Sequence, residues 1–140
     1  MEKVELPRTS ERIRGVTLPK EGVFFVCDYD EVFKVIVGEL SEPEILDDDP
    51  YDFLDNLDHS LGVYNHSSIL KSNGNSISYK FDSCADFVTV EYEIFGTKGE
   101  LKFRTLSGDW FAASFSGCGN YLMLAEPYGI ELYEVSESNA

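Results

Sequence analysis

The chain has 140 residues, 43% of them hydrophobic and 14% aromatic, enough for one domain with a single core spanning residues 1–140. Its 26 acidic and 11 basic residues give a formal net charge of -15, which repels phosphate backbones and anionic membranes and argues against binding to nucleic acid or membrane. The three cysteines, Cys27, Cys84 and Cys118, are odd in number and far apart, which speaks against a zinc ribbon or a disulfide framework and for a reducing cytoplasm.

Residues 1–14 carry mixed charges and lack the apolar stretch of a signal peptide, so secretion by that route is not expected, and they are read as a loose N-terminal segment. No run of about eighteen apolar residues occurs anywhere, which predicts a soluble protein. Val23 to Cys27 and Val32 to Val37 are β-rich runs flanking Asp28-Tyr29-Asp30-Glu31, an acidic hairpin turn. Aspartates at such a place cap backbone N-H groups, a cheaper account of Asp28 and Asp30 than a metal or acid-base pair.

The composition changes at Gly38. From Glu39 to His59 the chain is dominated by carboxylates, with Asp49 placed as an N-cap, Pro50 at the first helical position, and early acidic side chains that suit the helix dipole. Phe53, Leu54, Leu57 and Leu61 fall at helical spacing, which predicts one short acidic helix near 50–60. Counted as an EF-hand loop from Asp47, the sixth position is Asp52 where glycine is needed and the twelfth is Asp58 where glutamate is needed, so the calcium reading is poor. Two readings of Asp47, Asp48, Asp49, Asp52, Asp55 and Asp58 stay open: a solvated helix face, or a docking surface for a basic protein partner.

Leu61 to Ile69 is irregular, and Ser72-Asn73-Gly74-Asn75 is a turn with Asn-Gly at its centre. Ser76 to Phe81 alternates as a half-buried strand, Phe87 to Phe95 continues the alternation, and Gly96-Thr97-Lys98-Gly99 is expected to turn the chain into a strand from Glu100 to Leu106. Across that ladder Glu91 and Glu93 would pair with Lys102 and Arg104 if the register allows.

The clearest fold signal is Trp110 to Val135. Three strand-length runs, 110–115, 121–125 and 130–135, are joined by Ser116-Gly117-Cys118-Gly119-Asn120 and Glu126-Pro127-Tyr128-Gly129, tight reversals that make an antiparallel meander. Tyr121 to Leu124 is continuously apolar, as in a strand buried on both faces. The run Phe115-Ser116-Gly117-Cys118-Gly119-Asn120-Tyr121-Leu122, then Ala125 and Gly129 to Val135, resembles the inner hairpin and third strand of a WD40-type β-propeller blade. It departs from that pattern where Gly117-Cys118 replaces proline-aspartate and where Tyr133-Glu134 replaces the terminal Trp-Asp. Phe81 to Val90 aligns with Phe115 to Leu124 at a blade-sized offset, and Lys20 to Val26 is a fainter copy. Closed propellers take at least about four blades of about 40 residues, more than this chain supplies alone.

Catalytic signatures are lacking. The only histidines, His59 and His66, sit in the acidic middle, no G-x-S-x-G elbow or P-loop occurs, and the cysteines are expected to be small buried hydrophobes. The expectation is therefore a mainly β, single-domain antiparallel meander, blade-like if the resemblance holds, with one short acidic helix and a loose tail over 136–140. Functionally it reads as a non-catalytic acidic protein-binding domain of the inhibitor or immunity type, with no cofactor or metal. The alternatives are a partial propeller-like scaffold that self-associates, and an enzyme of unrecognised type.

Overall fold

The computed structural model describes residues 1–55, 60–62, 68–106 and 108–135. Its strands are β1 (Glu2–Val4), β2 (Gly15–Thr17), β3 (Val23–Cys27), β4 (Val32–Ile36), β5 (Glu44–Leu46), β6 (Ser60–Gly62), β7 (Lys71–Ser72), β8 (Asn75–Tyr79), β9 (Phe87–Ile94), β10 (Thr97–Arg104), β11 (Ala112–Phe115), β12 (Tyr121–Glu126) and β13 (Gly129–Glu134), with one helix, α1 (Pro50–Asp55). They form three antiparallel sheets: an N-terminal sheet in the order β5-β4-β3-β2-β6, a distal sheet β10-β9-β8-β7, and a central sheet β1-β13-β12-β11. The fold is thus mainly β, as the sequence predicts. No helix among the described residues is long and apolar enough to cross a membrane.

The central sheet lies between the other two. Side chains alternate along its strands, so Ala112, Met123, Ala125 and Leu132 join Val16, Phe24, Val26 and Val35 of the N-terminal sheet in one core. Phe111, Ala113, Phe115, Leu122 and Leu124 face the other way and join Ile77, Val88, Val90, Ile94 and Phe103 of the distal sheet in a second core. This explains the unbroken apolar run at 121–124: Leu122, Met123 and Leu124 are each fully buried because neither face of β12 meets water. In the distal core Phe111 is the hub, with Tyr79 edge-on at 5.2 Å and Phe103 at 5.3 Å between ring centroids.

Each sheet contains a three-strand meander, β2-β3-β4, β8-β9-β10 and β11-β12-β13. The two segments aligned in the sequence lead into corresponding middle strands, Phe87 opening β9 and Tyr121 opening β12. The central meander is extended by a distant strand: β1 pairs with β13, Val4 opposite Leu132, and Ile13 donates its N-H to the Pro127 carbonyl at 2.7 Å. The N-terminal segment expected to be loose therefore contributes an edge of the central sheet, while residues 136–140 lie outside the described part.

Turns account for the remaining differences. The distal hairpin reverses at Phe95-Gly96, both at positive φ (49° and 80°), so β10 begins at Thr97 rather than after Gly99. This register sets Glu93 opposite Lys98 and Glu91 opposite Glu100, whereas Lys102 faces Thr89 and Arg104 faces Phe87, so the ladder pairs expected from the sequence do not form directly. Asn73-Gly74 does make the predicted turn between β7 and β8, and it packs on the 116–120 loop. Glycine suits position 119 there, since its φ of +81° is strained for other residues and a Cβ would also press on the Ser72 and Asn73 side chains.

Because β12 supplies both cores, truncating it opens a cavity that neither outer sheet can fill. Leu124→Ala is expected to lower unfolding free energy by about 2–5 kcal/mol in urea titrations, against less than about 0.5 kcal/mol for Ser78→Ala on the solvent face of the distal sheet.

Candidate functional site

The docking surface predicted at Asp47 to Asp58 lies in a longer acidic stretch that runs from the end of β4 into α1. Glu39, Glu42, Glu44, Asp47, Asp48, Asp49 and Asp52 are all exposed along it. Part of the segment is strand: β5 pairs with β4 and sets Glu44 opposite Lys34. Asp49 is the helix N-cap, its Oδ1 accepting from Tyr51 N-H at 2.8 Å and its carbonyl from Phe53 N-H at 2.8 Å. Asp47 and Asp48 have no hydrogen-bond or ion-pair partner among the described residues.

Phe25 and Arg14 dock this helix on the protein. Phe53 packs edge-on against Phe25, on the face of β3 turned away from the central sheet, with ring centroids 5.1 Å apart. Arg14, buried at 3% exposure, donates from Nη2 to the Pro50 carbonyl at 2.7 Å and stacks its guanidinium 4.0 Å from the Tyr51 ring. An arginine far away in sequence thus anchors the acidic segment through its backbone and an aromatic ring.

The predicted site residues separate accordingly. Asp47, Asp48, Asp49 and Asp52 lie together on the exposed approach to and first turn of α1, and Asp49 has a structural duty besides. The side chain of Asp55, and Asp58 altogether, lie outside the described residues. Leu61 does not continue the helical stripe; it is in β6, opposite Val16, and buried in the core. Leu57 lies outside the described residues.

Asp28 plays the turn-capping part read from the sequence. Its Oδ1 accepts from the N-H groups of Asp30 at 2.7 Å and Glu31 at 2.6 Å. Asp30 instead pairs with Arg12 at 3.0 Å on the surface. Glu126, which the sequence did not single out, is a buried carboxylate that joins two connections. It accepts from Leu106 N-H at 2.9 Å and from Tyr128 N-H, so the charge at the end of β12 organises the loop entering β11 and the turn into β13.

The cysteines are not alike. Cys27 is buried at the end of β3, and burial pushes its thiol up to about 12, opposed in part by Arg14. Cys84 and Cys118 are exposed, which corrects the expectation that all three are small core hydrophobes. The Ser116 hydroxyl, 3.5 Å from Sγ, and the Asn120 N-H hold the Cys118 thiol below its ordinary value. It borders a hollow of about 870 Å³ whose walls include Leu18, Pro19, Lys20, Phe25 and Ile69. Among the described residues Glu21 is the one carboxylate that lines the hollow, and no histidine does. Among the described residues no group of three or more His, Cys, Asp or Glu side chains is placed to hold a metal ion.

No protein-family model, curated protein or solved structure matches this chain.

The thiol of Cys27 predicts a pH effect of definite sign. Below pH 9 the thiol is protonated whether the chain is folded or unfolded, and its contribution to stability is complete. Between pH 9 and about 12 the unfolded thiol ionises while the folded one stays protonated, so stability falls as pH rises. Urea midpoints measured across that range should decline less steeply in Cys27→Ala than in the wild type.

Proposed function

We propose that this chain is a non-catalytic protein-binding domain that takes a basic protein partner on the acidic segment 47–52, in the manner of an inhibitor or immunity-type protein. The observation that carries this reading is that Asp47 and Asp48 stand exposed with no partner among the described residues, beside a capped helix anchored from below by Arg14. Carboxylates spent on the fold, such as those of Asp28 and Glu126, are capped by backbone donors, and among the described residues these two are not. A net charge of -15 adds long-range steering of a positively charged partner and disfavours nucleic acid and anionic membrane as ligands. The free thiols of Cys27, Cys84 and Cys118 suit a reducing compartment, and we place the protein in the cytoplasm.

A second reading is favoured by the repetition of the three-strand meander in all three sheets, together with the resemblance of residues 115–135 to a WD40-type blade. On that reading the chain is a partial propeller-like scaffold that completes itself by self-association.

Affinity capture with the wild-type chain and with the Asp47→Asn/Asp48→Asn/Asp52→Asn variant separates the two. The first reading expects basic proteins on the wild type that elute as salt is raised through about 0.1 M, where the Debye length is about 10 Å, and at least about tenfold less of them on an equally stable variant. Equal capture by both chains contradicts it. Light scattering that gives a concentration-dependent oligomer with no captured partner favours the scaffold.

A further inference from the structure

We propose a second docking surface, of opposite charge: the free edge of β10 accepts an extended acidic segment of a partner protein, which adds to the distal sheet as a further strand. This goes beyond the binding of a basic partner and does not depend on it.

β10 runs for eight residues and, among the described residues, is paired on one side only. The other sheet edges are short or backed. β7 has two residues, and β1, β5 and β6 have three each. β11 is backed by residue 69, since Phe115 N-H donates to the Ile69 carbonyl and Ile69 N-H to Ser114 Oγ. A row of unpaired backbone groups as long as β10 is a template for strand addition.

Turn geometry fixes which groups are on offer. In a two-residue hairpin at Phe95-Gly96 the flanking residues Ile94 and Thr97 are a hydrogen-bonded pair. By alternation, Thr97, Gly99, Leu101 and Phe103 direct their N-H and C=O groups to β9, while Lys98, Glu100, Lys102 and Arg104 direct theirs outward. The side chains of those same four residues are exposed, on the solvent face of the sheet.

Charge selects the occupant. Lys98 faces Glu93 within the ladder, but Lys102 and Arg104 face Thr89 and Phe87. Neither forms an ion pair among the described residues. An added strand with carboxylates at alternate positions sets them opposite these two cations. Apolar side chains stand ready nearby: Phe95 at the turn is 48% exposed, Phe87 beside Arg104 is 54% exposed and Leu106 beyond the strand is 59% exposed. A second copy of this chain fits badly. Of the antiparallel registers that overlap most of β10 with its twin, one sets Lys98 against Lys102 and Glu100 against Glu100; the other sets Lys98 against Arg104, offset by Glu100 against Lys102, and there the net charge of -15 on each copy opposes association.

A blocked, fluorescently labelled peptide alternating glutamate and valine tests this on the full chain. By anisotropy it should bind at least about tenfold tighter than the peptide with lysine in place of glutamate. N-methylation of the backbone amides facing β10 should abolish binding. Lys102→Pro should also abolish it without lowering the unfolding midpoint, because that N-H bonds to nothing in the sheet and proline is tolerated on an edge. Lys102→Glu/Arg104→Glu, which leaves the backbone donors in place, should weaken the acidic peptide and strengthen the lysine peptide. Absence of binding, or equal binding by the lysine or N-methylated peptide, overturns the proposal. So does a free chain that sediments as a dimer broken by Lys102→Pro, since a second copy then covers the edge.

Discussion

A strand with large apolar side chains on both sides can face water on neither, and β12 is such a strand. Leu122 and Leu124 point into the distal core, Met123 and Ala125 into the core shared with the N-terminal sheet, and all four are fully buried. Burying one such aliphatic side chain contributes about 1.5–3 kcal/mol, so a few residues of one strand hold three sheets together. The order of layers follows from this requirement. The central sheet needs a cover on each face, and the two other meanders supply it, each retaining one polar or helix-covered face toward solvent. Glu126 then closes the strand, its buried carboxylate compensated by backbone N-H donors on both sides.

How much of this the sequence revealed depended on length and periodicity. The long alternating runs of β8, β9 and β10 and the unbroken run of β12 announce both their element type and their burial, because several consecutive side chains agree. β1, β2, β5 and β6 are three residues long, too short for a period to show, and β1 and β6 pair with strands remote in sequence, β13 and β2. Leu61 illustrates the ambiguity: its spacing from Phe53 and Leu57 suits a helix, yet pairing with β2 makes it a strand residue. The turn at Phe95-Gly96 was missed because phenylalanine is a poor candidate for positive φ. There Asn75 Oδ1 receives the Phe95 N-H at 2.9 Å and secures the reversal.

The candidate site was legible in the same uneven way. The N-cap role of Asp49 follows from Asp-Pro before an apolar stripe and is local, so sequence carries it. Arg14 was illegible, since a lone arginine in a charged segment says nothing of the Pro50 carbonyl and Tyr51 ring it will meet. The charges also segregate more than composition alone reveals: carboxylates gather on 39–52, whereas Lys98, Lys102 and Arg104 share one edge of the distal sheet. A chain with a strong overall sign thus presents two surfaces of different character.

Amide hydrogen exchange, resolved by residue in the native state, tests the central claim most directly. If β12 is the shared wall of both cores, the amides of Leu122, Met123 and Leu124 should exchange only through global unfolding, with protection equal to the full stability of the chain. Amides of β5, β7 and α1, held by one face or one pair of contacts, should open earlier. Exchange of the β12 amides at the rate of those outer elements would contradict the account, because the two cores would then unfold independently of the sheet between them.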